Sequence, residues 1–206
     1  VFARFNLQYI TKSNLKFSWN AVFQEEHSIG ASSYYMAAET DKIAREKPYR
    51  FSVNDLGSHQ RKFFSTALSG WLYKPAFTLS STTSFQNIQQ AYSFRKKLGD
   101  AYPQNVWSQE VRIQSNTHKR FQYTAGSYFF YQDFDKQFAA VYNELGLFFG
   151  VTPGTQISRT HFKNSGVAVC GQSEFEFAKK WKVIGGIRID HERRNTRVAR
   201  YYMETQ

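Results

Sequence analysis

Aromatic and cationic side chains are concentrated in two segments of the chain, and together they suit the binding of anionic, ring-bearing ligands. A guanidinium pairs with carboxylates and stacks on aromatic rings, and a cation held over a ring face is attracted by its quadrupole. The residues predicted to bind a ligand in this way are Tyr34, Tyr35, Arg45, Tyr49, Arg50, Arg95, Lys96 and Tyr102. The alternative interpretation is that these segments are simply polar surface.

Groups that could act in catalysis or hold a metal are scattered along the chain. The Glu-Glu-His run at residues 25–27 is explained by a solvated strand end, and His191 with Glu192 lacks the second His of a helical zinc motif. Ser108 and Ser115 have no His or Asp partner that the sequence can position. No glycine loop for phosphate follows a strand and opens a helix. We therefore predict no catalytic residue, no metal site and no enzymatic activity.

The elements that must position these groups are strands, as residues 164–194 indicate most clearly. Apolar and polar residues alternate from Val167 to Phe177, the chain turns at 178–180, and the alternation returns from Trp181 to Ile189. A period of two is typical of strands, because successive side chains point to opposite faces. Strands of about ten residues exceed the usual length in soluble sheets and suffice for a tilted strand to cross a bilayer.

The same hairpin pattern recurs along the chain and predicts about eight antiparallel strands. The four predicted hairpins span residues 1–24, 58–90, 106–133 and 164–194. Their turns, at 11–14, 74–75, 116–120 and 178–180, are short, whereas the connections between hairpins, at 27–57, 87–105 and 134–163, are long. Short turns on one side and long loops on the other are typical of outer-membrane barrels. The fold class predicted is therefore all-β, an antiparallel transmembrane β-barrel segment with external long loops and periplasmic turns.

Composition favours the same interpretation. Aromatic residues make up 18% of the 206 residues while the mean hydropathy is −0.57, and no run of about twenty apolar residues indicates a membrane helix. Barrel strands give this combination, because lipid-facing and lumen-facing residues cancel in any window. Trp19, Trp71, Trp107 and Trp181 all fall on predicted strands, either in an interfacial girdle or in the core of a soluble sandwich.

Charge and cysteine content exclude some classes of protein. The net charge of +11 is compatible with a solvated basic surface or an anionic partner. Lys and Arg collect at turns and in loops rather than along one element, so nucleic-acid binding is not predicted. Cys170 is the only cysteine, which excludes an internal disulfide and a pair of thiolate metal ligands.

Uninterrupted alternation also assigns side chains to faces. Leu79, Val111, Val169 and Ile187 are predicted to face lipid or another apolar surface. Thr82, Arg112, Glu174 and Arg188 are predicted to face the lumen. A slip of one residue would exchange the two sets.

Four stretches of the chain resemble the barrel of TonB-dependent outer-membrane receptors. They are WSQEVRIQS at 107–115, YTAGSYFFY at 123–131, AVCGQ at 168–172 and GGIRIDHE at 185–192. They are similar, in order and separation, to strands that recur in that family. Two positions depart from the pattern, since Cys170 stands where the family usually has Phe and Ile189 where Tyr is common.

The resemblance implies that residues 1–206 are one segment of a larger barrel, because the family's barrel has about twenty-two strands. The plug domain and the TonB-contacting box are expected outside this segment. The function implied is TonB-dependent uptake of ferric siderophores or similar scarce nutrients at the outer membrane of a Gram-negative bacterium. The implied partners are TonB, the receptor's own plug domain, lipopolysaccharide and other outer-membrane lipid, and a siderophore or other small nutrient. No cofactor is implied, and a ferric chelate would be the transported ligand.

Two other functions are compatible with the strand pattern. A complete eight-stranded outer-membrane barrel that acts as an anchor or adhesin fits the strand count, but strand-like alternation already at Val1 opposes it. A soluble β-barrel that binds small lipophilic ligands could use the same polar residues.

Overall fold

The described strands of the chain form one antiparallel β-sheet. The computed structural model describes residues 1–29, 46, 58–94, 97–116, 120–142, 154–178 and 181–204. The strands are β1 (Phe2–Ile10), β2 (Leu15–Ile29), β3 (Ser58–Tyr73), β4 (Phe77–Phe94), β5 (Lys97–Ala101), β6 (Gln104–Ser115), β7 (Phe121–Tyr142), β8 (Gly154–Ala178) and β9 (Trp181–Glu204). The described residues thus contain eight strands of nine residues or more and the short β5, which agrees with the predicted all-β class.

The order of strands follows the chain from β1 to β9, with β5 and β6 placed end to end between β4 and β7. Each pair of neighbours is antiparallel. Among the described residues, β1 pairs only with β2 and β9 pairs only with β8. The sheet is therefore open, with β1 and β9 at its edges.

The register confirms that the two predicted sets of side chains lie on opposite faces. Leu79 pairs with Ile113, which connects through Ala125 and Gly171 to Ile187. Partners in a ladder share a face, and so do residues two apart on a strand. The side that carries Leu79, Val111, Val169 and Ile187 is called the apolar face, and the side that carries Thr82, Arg112, Glu174 and Arg188 is called the polar face.

Burial differs between the two faces. Large side chains of the apolar face are exposed, with Leu68 at 56%, Val169 at 59% and Ile187 at 68%. The residues that are buried are small, and Ser69 and Ala168 on the polar face are examples. No second layer of the described residues covers the apolar face, so this sheet has no core of its own to bury it.

The short turns lie side by side at one end of the strands. The Tyr73 amide donates to the Asn14 carbonyl at 2.9 Å, and the Asn116 amide donates to the Ala76 carbonyl at 3.1 Å. Asn14 has a φ of 61°, a left-handed conformation that Asn tolerates better than most residues. The predicted turn at 178–180 is one residue too long, because Ala178 belongs to β8 and pairs with Trp181.

The predicted long connections are shorter than the alternation indicated. β4 continues to Phe94 and β5 follows at Lys97, so most of 87–105 is strand. Likewise β7 extends to Tyr142 and β8 begins at Gly154, within the predicted loop 134–163. β9 extends to Glu204, well beyond the predicted end of the last hairpin at residue 194. In these extensions apolar and polar residues no longer alternate regularly between the faces, whereas ladder hydrogen bonds between backbones do not depend on side-chain type.

Candidate ligand-binding site

One of the eight predicted ligand-binding residues lies within the described part of the chain. Tyr34, Tyr35, Arg45, Tyr49, Arg50, Arg95 and Lys96 lie outside the described residues, and their role stays a prediction. Tyr102 lies between β5 and β6 and is half-buried.

A backbone interruption positions Tyr102. Its amide donates to the Gln90 carbonyl on β4 at 2.7 Å, and the carbonyl of the next residue, Pro103, accepts from the Asp135 amide on β7 at 2.9 Å. Proline has no N–H to donate to a ladder and occurs in sheets mainly at strand ends, edges and bulges. The break between β5 and β6 therefore falls at this dipeptide.

Tyr102 belongs to a line of rings that crosses the sheet, called the aromatic row and formed by His59, Tyr92, Tyr102, Phe134 and Phe162. His59 stacks on Tyr92 at 4.4 Å between centroids and 11° between planes. Tyr102 meets Tyr92 edge to face at 6.0 Å and lies parallel to Phe134 at 6.5 Å. Phe134 stacks on Phe162 at 5.5 Å.

The register explains why these rings meet. His59 is paired directly with Tyr92, and Phe134 with Phe162. All four side chains lie on the polar face, toward the end of the strands opposite the short turns. The polar face therefore carries a continuous aromatic surface at that end.

Cationic and amide groups border the aromatic row. The Lys136 ammonium lies 5.9 Å from the centroid of the Tyr102 ring. The Gln90 amide lies 3.2 Å from His59 Nε2 and donates to the Tyr92 hydroxyl. The Asn164 side chain donates to Gln132 at 2.8 Å, and its own Oδ1 is buried without a hydrogen-bond partner. Rings, a cation and amides on one surface can hold a ligand that has both a planar group and a negative charge.

Sequence reasoning missed four members of the aromatic row: His59, Tyr92, Phe134 and Phe162. His59 and Tyr92 lie near or beyond the ends of the predicted second hairpin, and Phe134 and Phe162 lie in the predicted third loop. The alternation itself could have identified Phe134 and Phe162. It predicts polar side chains at these two positions, and large rings occupy them instead.

The rest of the polar face carries exposed ion pairs. Arg188 donates to the Asp190 carboxylate from Nε at 3.0 Å and from Nη2 at 2.8 Å. Arg112 pairs with Glu110, and Lys182 pairs with Glu174. Such exposed pairs contribute little to stability, but they keep this face hydrated and of mixed charge.

Three possible metal ligands meet on the apolar-face side of β7 and β8, namely Asp133, Asp135 and His161. Their donor atoms lie within 4.8 Å of one another. His161 Nδ1 lies 2.7 Å from Asp135 and 3.6 Å from Asp133. A ring nitrogen that donates to a carboxylate holds a proton, so a cation would have to replace that proton to bind there. The hydrogen-bonded pair accounts for this geometry.

The residues dismissed as catalytic do not converge on one side of the sheet. Glu25 forms an ion pair with Lys62 at 3.2 Å, whereas Glu26 accepts from Gln24, and consecutive strand residues point to opposite faces. The same alternation separates His191 from Glu192 on β9.

Comparison with known proteins gives one informative result, a similarity of structure. No protein-family model matches the chain, and no curated protein matches it. The fold is similar to the crystal structure of the ferric yersiniabactin uptake receptor FyuA from Yersinia pestis, with a TM-score of 0.74 over 97% of this chain. The sheet has a barrel-like fold.

The similarity extends over part of the larger receptor and concerns the fold. Sequence identity is 12%, and the chain spans 30% of the length of that receptor. Within the described residues, no helix is long and apolar enough to cross a membrane. The shared feature is the antiparallel sheet with its barrel-like arrangement.

Proposed function

We propose that the chain forms part of the wall of an outer-membrane receptor barrel that takes up a ring-bearing, anionic chelate such as a ferric siderophore. The observation that carries the proposal is the uncovered apolar face of a sheet whose other face is polar. In water such a face would be a site of association, whereas in a bilayer it would meet lipid while the polar face lined the lumen.

The path of the apolar band across the sheet supports a barrel wall. On β2 the apolar-face residues run from Leu15 to Phe23, so Phe17 lies in the part of the band next to the short turn. On β9 the band ends at Ile189, so Ile189 lies at the end of the band away from the turn. Yet Phe17 and Ile189 belong to one line of ladder partners across the sheet. A band that crosses the ladder obliquely indicates strands tilted with respect to the band, and closing a sheet into a barrel requires such tilt.

The aromatic row supports the ligand class. It lies on the polar face at the end opposite the short turns, which is the external end if those turns are periplasmic. Its rings and Lys136 suit a planar anion, and the structural neighbour is a ferric yersiniabactin uptake receptor. Transport by the whole protein would involve TonB and a plug domain as partners, with the metal chelate as cargo.

Other candidates have less support. A complete eight-stranded barrel needs its first and last strands to pair, and in the described residues β1 and β9 each have one neighbour. A soluble barrel would have to bury the apolar face against other residues, and no second layer of the described residues covers that face.

Spin labels on the two faces test the proposal. Each label is placed in the full-length protein in lipid vesicles, at Val169 or at Gln172, after Cys170→Ser removes the exposed native thiol. We expect the label at Val169 to be relaxed by oxygen, which concentrates in lipid, and the label at Gln172 by a water-soluble nickel chelate. Equal access of the nickel chelate to both positions would refute the membrane wall.

A further inference from the structure

A notch of about 510 Å³ opens on the apolar face between β2 and β6 and is called the outer notch. Its two rims are aromatic, with Trp19 on β2 and Trp107 on β6, and Trp107 packs on Phe85 with 4.5 Å between ring centroids. Its floor includes Thr66 and Thr83, whose side chains are small. The Trp19 indole donates to the Thr66 hydroxyl at 2.8 Å, which holds one rim in place. The outer notch therefore has room for a large side chain from a neighbouring molecule.

Hydrogen-bonding groups lie on the same face beside the outer notch. Gln109 donates from Nε2 to Ser81 Oγ at 2.9 Å and to the Glu110 carbonyl at 3.2 Å, and its Oε1 accepts from the Thr83 hydroxyl. Both amide protons are thus used, whereas Oε1 has a second lone pair that can accept. Among the described residues, the structure gives the Ser81 hydroxyl proton no acceptor. One donor and one acceptor therefore remain side by side on this face.

These groups lie at mid-membrane depth if the apolar face meets a bilayer. On β4 the apolar-face positions run from Phe77, beside the short turn, to Asn87, whose side chain donates to Asn105 at 2.6 Å. That segment spans about 33 Å along the strand and, at a tilt of about 40°, about 25 Å across a membrane, which is the height of the apolar band of such barrels. Ser81 and Thr83 lie near its middle, where lipid tails offer no hydrogen-bond partner.

We propose that the outer notch and its hydrogen-bonding groups form a contact between two copies of this protein in the membrane. The inference rests on the proposed function, because these groups lie in hydrocarbon only if the apolar face meets a bilayer. Association within lipid depends on close packing at small residues and on hydrogen bonds. A second copy supplies both, since the donor left on Ser81 and the acceptor left on Gln109 are complementary to each other.

A two-fold axis along the membrane normal, between β4 and β6, satisfies both groups at once. In a two-fold contact residue i of one copy meets residue j of the other, and the reverse. Ser81 on β4 then lies opposite Gln109 on β6 of the second copy. Trp107, which is 51% exposed, likewise lies opposite β4 of the second copy, where Thr83 and Phe85 line the outer notch. Both strands are interior in the sheet, so the contact leaves the edges at β1 and β9 free for further strands.

Cross-linking at two matched positions tests the contact. Val111 and Val169 are exposed valines of the apolar face on one line of ladder partners through Ser127. Neighbouring strands lie about 4.8 Å apart, so the proposed axis separates the two copies of residue 111 by about 5 Å across the sheet and those of residue 169 by about 24 Å. In the full-length protein with Cys170→Ser in lipid vesicles, we expect a short bis-maleimide to link Val111→Cys into a dimer and to leave Val169→Cys monomeric.

Energy transfer between donor-labelled and acceptor-labelled copies measures the strength of the contact. The labels are attached at Lys12→Cys in the Cys170→Ser background, and the lipid-to-protein ratio of the vesicles is varied. Gln109→Leu should weaken dimerisation about tenfold, because it removes two hydrogen bonds, one in each direction. Gln172→Leu makes the same change on the polar face and should dimerise like wild type.

Several outcomes would overturn the inference. Equal cross-linking at residues 111 and 169 would indicate random collision, and wild-type dimerisation of Gln109→Leu would place any contact elsewhere. A monomer at every lipid-to-protein ratio would leave the outer notch to acyl chains, and cross-links in cells to other proteins alone would assign it to a different partner. If the spin label at Val169 meets lipid and Val111→Cys stays monomeric, only this inference fails. If that label meets water, the proposed function fails and this inference fails with it.

Discussion

At the scale of single residues, Tyr102 shows how the backbone can place a side chain for binding. Its amide still belongs to the ladder with β4 through Gln90, but Pro103 prevents β5 and β6 from forming one continuous strand. The ring lies half-buried between Tyr92 and Phe134 on the polar face.

Replacing Tyr102 by Leu should weaken binding of a ferric complex with aromatic ligands about two- to tenfold, because an aromatic pair contributes about 0.5–1.5 kcal/mol beyond its buried area. Tyr102→Phe should bind nearly as well as wild type. The measurement is a fluorescence titration of the full-length protein. Tyr131→Leu, on the opposite face of β7, is the matched control, and an equal loss in that variant would contradict a role for the aromatic row.

Val169 and Gln172 are near neighbours on β8 that lie on opposite faces. Val169→Arg should destabilise the inserted protein by about 2–4 kcal/mol, since a cation on the lipid side is costly near mid-membrane. Gln172→Arg should change its stability little. Denaturant unfolding of the full-length protein from vesicles measures both, and a destabilisation of similar size in the two variants would argue against the assignment of faces.

At the scale of elements, strand length and alternation have different causes. In β7 and β8 the apolar-face positions change from Phe129 and Val167 to Asp133 and Lys163, yet pairing continues to Tyr142 and Gly154. Alternation marks where one face meets an apolar medium, whereas the ladder continues wherever the backbones stay in register. The strands therefore project beyond the apolar band.

The two ends of these strands should lie on opposite sides of the membrane. Cysteines introduced at Lys12 and Lys74, in the short turns, should react with an impermeant maleimide only after cells are permeabilised, because the short turns of bacterial outer-membrane barrels are periplasmic. A cysteine at Arg200, toward the other end of β9, should react in intact cells that carry the full-length protein with Cys170→Ser. Tags after Asn54 and Thr152, which lie outside the described residues, should likewise be reachable from outside. Labelling of the turns in intact cells would reverse the topology.

At the scale of the whole molecule, the open edges determine what this sheet can do alone. β1 and β9 each present one side of their backbone without a neighbour among the described residues. Hydrocarbon does not tolerate unsatisfied backbone groups, and exposed strand edges promote association.

Residues 1–206 expressed alone should therefore aggregate in detergent instead of forming a closed barrel. The measurement is gel migration with and without heating, together with size-exclusion chromatography and limited proteolysis. The full-length protein, treated identically, is the control. A monomeric, protease-resistant and heat-modifiable form of the segment would contradict this prediction and favour the complete small barrel.

The sequence alone determined the strands and their two faces, because side chains alternate locally with a period of two. The alternation from Val167 to Phe177 predicted both the strand and which residues share the side of Val169, and the register confirms it. Polar turns at 11–14 and 74–75 were equally visible, since turn residues act through their own backbones.

Only the tertiary structure decided which distant residues meet. The aromatic row joins His59 on β3 to Phe162 on β8 through contacts across four ladders. Ladder hydrogen bonds join backbone groups that every residue except proline carries, so the side chains of one strand do not by themselves specify its partners. Side-chain type therefore carries little local information about which rows are opposed, and the position of each binding surface follows from pairing across the sheet.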